Sequence, residues 1–139
     1  MLIIVLSPRS KESLVPPNCD ADISLDQLSD ETTVLNKSEL LEEGRQNLRK
    51  LLEYTLSTHI SSVNLITSIC VLSNVAKQRP EYLQAILESF TKLMSNLPPT
   101  LGKSQVSTVK KQLKLQLLMI CKSLFAVDFQ AQISALLSL

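Results

Sequence analysis

Five lysines carry the only concentrated positive charge in this chain. Lys103, Lys110, Lys111, Lys114 and Lys122 lie between Thr100 and Val127, a stretch that contains no acidic residue. Val106, Val109, Leu113, Leu117, Ile120, Cys121 and Leu124 recur through it at spacings of three and four, which predicts an amphipathic helix. On that helix Lys103, Lys110 and Lys114 fall on one line, and Lys111 and Lys122 form a second line beside it. Such a stripe can hold an acidic protein surface or neutralise a nucleic-acid backbone; it can equally be a plain solvated face. No aromatic residue is interleaved among the lysines, so stacked bases would have no platform. Protein is therefore favoured over single-stranded RNA as the partner, with Lys103, Lys110, Lys111 and Lys114 as the candidate contacts.

Other chemistry is scarce. There is one histidine, His59, beside a helix start, where it reads as an exposed neighbour of the cap and not as a ligand or base. Cys19, Cys70 and Cys121 form no C-x-x-C pair, and the latter two lie on apolar helical faces, where a free thiol behaves as a small hydrophobe. Unpaired thiols suit a reducing compartment. No Gly-rich phosphate loop, metal-spaced Cys/His set or Ser/His/Asp arrangement is present, so no catalytic, cofactor or metal site is expected. Glu42 with Arg45 and Arg49 with Glu53 have the spacing of surface pairs on a helix.

The elements that position the stripe follow from composition and punctuation. Hydrophobic residues make up 45% of 139, aromatics 4%, and there are two glycines. Hairpin turns need positive φ, which glycine supplies most readily, so the chain is expected to be all-α. Net charge is +1, too little for global steering toward nucleic acid. The distribution is uneven, with Asp20, Asp22, Asp26, Asp30, Glu31, Glu39, Glu42 and Glu43 set against Lys37 alone between Asn18 and Glu43.

Met1 to Leu6 reads as the remnant of a helix, too short for a signal-peptide core, and no longer apolar run spans a membrane. Residues 7–35 read as one long acidic loop, anchored by Ile23, Leu25 and Leu28 and expected to fold over the lysine helix. About five helices fill residues 36–139. Asn36 caps the first, Lys37 to Ser57, with Leu41, Gly44, Leu48, Leu51, Leu52 and Thr55 inward, and Gly44 permitting a close crossing. The second, Ser62 to Lys77, is apolar nearly all round and should be enclosed. Pro80 opens the third, and Asn96-Leu97-Pro98-Pro99 stops it. The lysine helix is the fourth, and Asp128 caps a fifth.

Alternate helix starts are about 42 to 48 residues apart, close to the ~40–47-residue period of HEAT or armadillo arrays. A four- or five-helix bundle fits nearly as well. The truncated look of both ends favours an α-solenoid of antiparallel helix pairs, forming a single partial domain over residues 1–139. In such an array the second helix of each pair lines the concave face, which would put Asn64 and Lys110 on a shared groove.

At this point the wording of the chain carries a resemblance. Asn96-Leu97-Pro98-Pro99-Thr100-Leu101, Lys103-Ser104-Gln105-Val106-Ser107, Val109-Lys110-Lys111 and Leu113-Lys114-Leu115 resemble the most characteristic stretch of the symplekin family's N-terminal HEAT-repeat domain. Leu6-Ser7-Pro8-Arg9, Ile23-Ser24-Leu25-Asp26, His59-Ile60-Ser61-Ser62-Val63-Asn64-Leu65, Ala76-Lys77-Gln78-Arg79-Pro80 and Phe129-Gln130-Ala131-Gln132-Ile133 agree in order. The resemblance implies a nuclear, non-catalytic scaffold of pre-mRNA 3′-end cleavage and polyadenylation. It also implies that the domain binds and stimulates the RNA polymerase II C-terminal-domain phosphatase specific for the fifth-position heptad serine. Partners would be proteins of that machinery, with no membrane, small-molecule substrate or cofactor. The chain would correspond to the latter half of the family's domain, leaving Met1 to Leu6 as an unpaired apolar edge prone to self-association.

Overall fold

A computed structural model describes residues 2–8, 24–27 and 36–139. Helices α1 (Leu2–Val5), α2 (Lys37–Thr55), α3 (Ser62–Gln78), α4 (Leu83–Ser95), α5 (Lys103–Cys121) and α6 (Gln130–Ser138) carry it, with 3-10 turns at Leu25–Gln27, Pro80–Tyr82 and Leu124–Phe129. There is no strand among the described residues. The all-α expectation holds.

Helix starts follow local chemistry. Asn36 is extended, and its Oδ1 accepts the N–H groups of Ser38 at 3.0 Å and Glu39 at 3.4 Å. Ser61 Oγ accepts the Asn64 N–H at 3.3 Å ahead of α3. Pro80 opens the third unit as its first position, where a missing N–H costs nothing. Gly102 precedes α5, and its N–H donates to Gln105 Oε1 at 2.9 Å. The expected Asp128 cap of α6 is corrected. Asp128 is exposed inside the 3-10 turn, and α6 begins at Gln130. The turn supplies bonds of its own, Ala126 N–H to Ser123 and Gln130 N–H to Val127, so those donors need no side-chain cap.

The core is centred on α3, whose Leu65, Ile69, Leu72, Val75 and Ala76 are fully buried. This helix packs against α1, α2, α4 and, most extensively, α5. The expected enclosure is incomplete at the first turn, where Val63 is 70% exposed. The inward faces of α4 (Leu83, Ile86, Leu87, Phe90, Leu93, Met94) and α5 (Val109, Leu113, Leu117, Ile120) are buried as the spacing predicts. Burying each such side chain is worth about 1.5–3 kcal/mol.

Stacking is visible in a constant register. Thr100 Oγ1 donates to the Thr58 carbonyl at 3.4 Å, and Gln112 Nε2 to Cys70 Sγ at 3.3 Å. Each pair is separated by 42 positions. Equal offsets at the mouth and the middle mean that α3 and α5 run in the same direction, one repeat apart, as the second helices of successive pairs do in an α-solenoid.

The apolar N-terminus is covered. Ile3, Ile4 and Leu6 are buried against α2 and α3, so the expected bare edge at Met1 to Leu6 does not exist among the described residues. Gly44 makes this possible: a Cβ there would stand 3.0 Å from both Leu6 Cβ and the Leu6 carbonyl oxygen. Of the acidic loop, residues 24–27 are described. Leu25 is buried, its N–H donates to the Ser7 carbonyl at 3.2 Å, and its turn packs on α2. Ile23 and Leu28, and with them the expected cover over the lysine helix, lie outside the described residues. On α2, Glu42 accepts from Gln46 Nε2 at 3.4 Å in place of the expected Arg45.

Candidate functional site: the faces of the lysine helix

Cys70 marks the flank of α5 that faces α3, because its half-buried sulfur accepts from both Gln112 and Gln116, at 3.3 and 3.7 Å. At about 100° per residue, Lys114 stands roughly 160° from both glutamines, and Lys110 about 160° from Gln112. These two lysines therefore occupy the flank turned away from α3. Both are half-buried, whereas Lys103, Lys111 and Lys122 are exposed. Half-burial is compatible with charge for lysine, whose long stem can cover apolar surface while its head stays in water.

Asn64 sits elsewhere. It is exposed, and its Nδ2 donates to Tyr54 Oη of α2 at 2.9 Å. Asn64 thus belongs to the α2 side of α3, and the lysines to the far side of α5. Gln112 and Gln116, not the lysines, are the α5 side chains bonded to α3, and no hydrogen bond joins Asn64 to Lys110 among the described residues.

The outward face of α5 holds what a charge-led reading passes over. Leu115, Leu118 and Met119 are 50%, 48% and 45% exposed, between Lys111 and Lys122. All three fall outside the Val109–Leu113–Leu117–Ile120 core stripe, and that phase difference was the available signal. Arg79 was likewise passed over, and it is fully buried. Its Nη2 donates to the Ile4 carbonyl at 2.7 Å, its Nε to Ser7 at 3.3 Å and its Nη1 to Gln78 at 2.9 Å. Nearby, the Ser7 and Tyr82 hydroxyls are 2.8 Å apart. Burial pushes the Tyr82 phenol above the usual tyrosine range, and the Ser7 hydrogen bond works against it.

Among the described residues no three His, Cys, Asp or Glu side chains form a metal-sized cluster, and no helix is long and apolar enough to cross a membrane. His59 is exposed, and its backbone N–H bonds Ser57 Oγ at 3.4 Å. What the faces offer is binding: cationic heads on one flank, and apolar side chains bracketed by lysine on another. The same stacked helices and the same wording meet in one comparison. The family model described as Symplekin/PTA1 N-terminal matches residues 1–139, and the chain belongs to that family.

Proposed function

We propose that this chain is a non-catalytic protein-interaction scaffold of the nuclear machinery that cleaves and polyadenylates pre-mRNA 3′ ends. The observation that carries the reading is the Symplekin/PTA1 N-terminal match over the full 139 residues. The physical arrangement supports it. A stacked helix array presents long, rigid faces, and Lys103, Lys111 and Lys122 stand exposed on α5. The finer part of the proposal is that the chain contributes to binding the RNA polymerase II C-terminal-domain phosphatase specific for the fifth-position heptad serine. Lys103, Lys110, Lys111 and Lys114 are proposed to meet an acidic surface there, with Asn64 contributing from its separate face.

The test is capture of the purified phosphatase by this chain, repeated with Lys110→Glu and Lys114→Glu together. Lost capture supports the lysine flank as the contact. Unchanged capture removes it from that interface, and no capture by the unaltered chain removes the phosphatase. A second reading, contact with RNA, draws on the acid-free lysine field between Thr100 and Val127. It predicts affinity that falls steeply with salt and with Lys110, Lys111 and Lys114 changed to alanine. Exposed leucines rather than aromatics lie among these lysines, which favours protein.

A further inference from the structure

An outward helix face is ordinarily polar from end to end, and that of α5 is not. Leu115, Leu118 and Met119 are about half exposed. Their spacing of i, i+3 and i+4 gathers them into one cluster on the helix surface. Lys111 stands one turn before Leu115, and Lys122 one turn after Leu118. Both lysines are exposed. From Lys111 to Lys122 the strip runs eleven residues, about 16 Å at ~1.5 Å per residue, or three turns. Its centre is apolar and both ends are cationic.

We propose that this strip docks an acidic amphipathic helix of a protein partner. The partner's apolar residues would lie on Leu115, Leu118 and Met119, and its carboxylates against Lys111 and Lys122. Docking of an apolar helix stripe is a common recognition mode, read as anchors at i, i+3, i+4 and i+7. Met119 adds an unbranched, polarizable side chain that adapts to the partner's shape. The proposal rests on the scaffold reading above but places the contact on a face distinct from the Lys103–Lys110–Lys114 line.

Charge selects this occupant. No acidic residue lies between Thr100 and Val127, so nothing on this length of α5 competes for the lysines. A second copy meeting the first through the same face would set lysine against lysine and be repelled. Single-stranded nucleic acid would find no aromatic platform. A lipid surface would find three apolar side chains only, because Val109, Leu113, Leu117 and Ile120 are fully committed to the core.

The probe is a fluorescein-labelled helical peptide with leucines at i, i+3, i+4 and i+7 and glutamates along both edges of that stripe. Its binding to the whole chain is followed by anisotropy. The expected result is saturable binding, weakened about tenfold or more by L115S/L118S. K111E/K122E should also weaken it, and a peptide with lysine for glutamate should then prefer that variant to the unaltered chain. Both double variants alter exposed positions, so unchanged circular dichroism and melting would show that folding is intact.

Binding unaffected by L115S/L118S overturns the proposal. So does equal binding of a peptide with serine for leucine, which would mean charge alone. Loss of self-association, of polyuridylate binding or of anionic-vesicle binding in L115S/L118S, with no peptide binding, would assign the strip to those occupants instead and overturn it too. Absent peptide binding with intact phosphatase capture removes this inference and leaves the scaffold reading standing. Intact peptide binding with no phosphatase capture keeps this inference and removes only the phosphatase as a partner.

Discussion

The guanidinium of Arg79 donates to the carbonyl of Ile4 at 2.7 Å, joining residues 75 positions apart in the chain. With its bond to Ser7 it closes the carboxyl end of α1, and with its bond to Gln78 it holds the last carbonyl of α3; end carbonyls have no partner within their own helix. A cation serves well at that end, where the backbone dipoles leave negative charge. Arg79→Ala is expected to cost about 2–4 kcal/mol, because the carbonyls are left buried. Lysine should recover only part of it, lacking the planar fork. Urea denaturation measures both, and a loss below ~0.5 kcal/mol for alanine would show that water replaces the clamp.

Gly44→Ala sets two effects against one another. Alanine improves helix propensity by up to ~1 kcal/mol over glycine. Its Cβ, however, would stand 3.0 Å from Leu6 Cβ and from the Leu6 carbonyl oxygen. Backbone atoms yield little, so overpacking should win, with a net loss of about 1–3 kcal/mol. Amide exchange should also quicken at Leu25, whose N–H is bonded to Ser7. A stabilised variant would mean that α1 moves away freely.

Adjacent leucines on α5 are expected to answer in opposite ways. Leu117 is fully buried and Leu118 is 48% exposed. Leu117→Ala should cost about 2–5 kcal/mol. Leu118→Ala should stay within ~0.5 kcal/mol. Thermal melts of the pair check the helix phase directly, and equal losses would mean that α5 is rotated from the position described.

Alkaline stability should carry a signature of Tyr82. Its phenol is held above the usual range by burial, so at neutral pH it is protonated in both states and adds no slope. As pH climbs past ~10 the unfolded chain gives up this proton first, and stability falls. Tyr82→Phe removes that part of the fall while losing the contact with Ser7, worth about 0.5–1.5 kcal/mol. Parallel alkaline unfolding curves for the two proteins would show that Tyr82 does not report on folding.

The helices were legible because their signals are local. Asn36, Ser61, Pro80 and Gly102 mark starts by backbone chemistry within three residues, and the 3.6-residue phase separates Leu117 from Leu118 without reference to any neighbour. The lysine line was legible for the same reason. Which flank meets α3 was not, since that depends on Gln112 and Gln116 reaching Cys70 across 42 and 46 positions. The same holds for the covered N-terminus, where Arg79 and Gly44 act on residues far upstream. Asp128 misled for an opposite reason: it is a good capping residue, and the 3-10 turn around it had already supplied the bonds.

Among the described residues no φ is positive, at glycine or elsewhere. Every described corner, including residues 56–61 and 96–102, is therefore built from backbone conformations open to any ordinary L-residue. Those corners are held by backbone bonds such as Ser57 N–H to Tyr54 and Leu101 N–H to Pro98, with Ser57 Oγ accepting from His59 and Thr100 Oγ1 donating to the Thr58 carbonyl. For engineering this makes them joints. A tag or cleavage site written into residues 57–59 or 99–101 forces no residue into left-handed geometry but gives up the Thr100–Thr58 bond, while at Gly44 even a methyl group must push Leu6 aside.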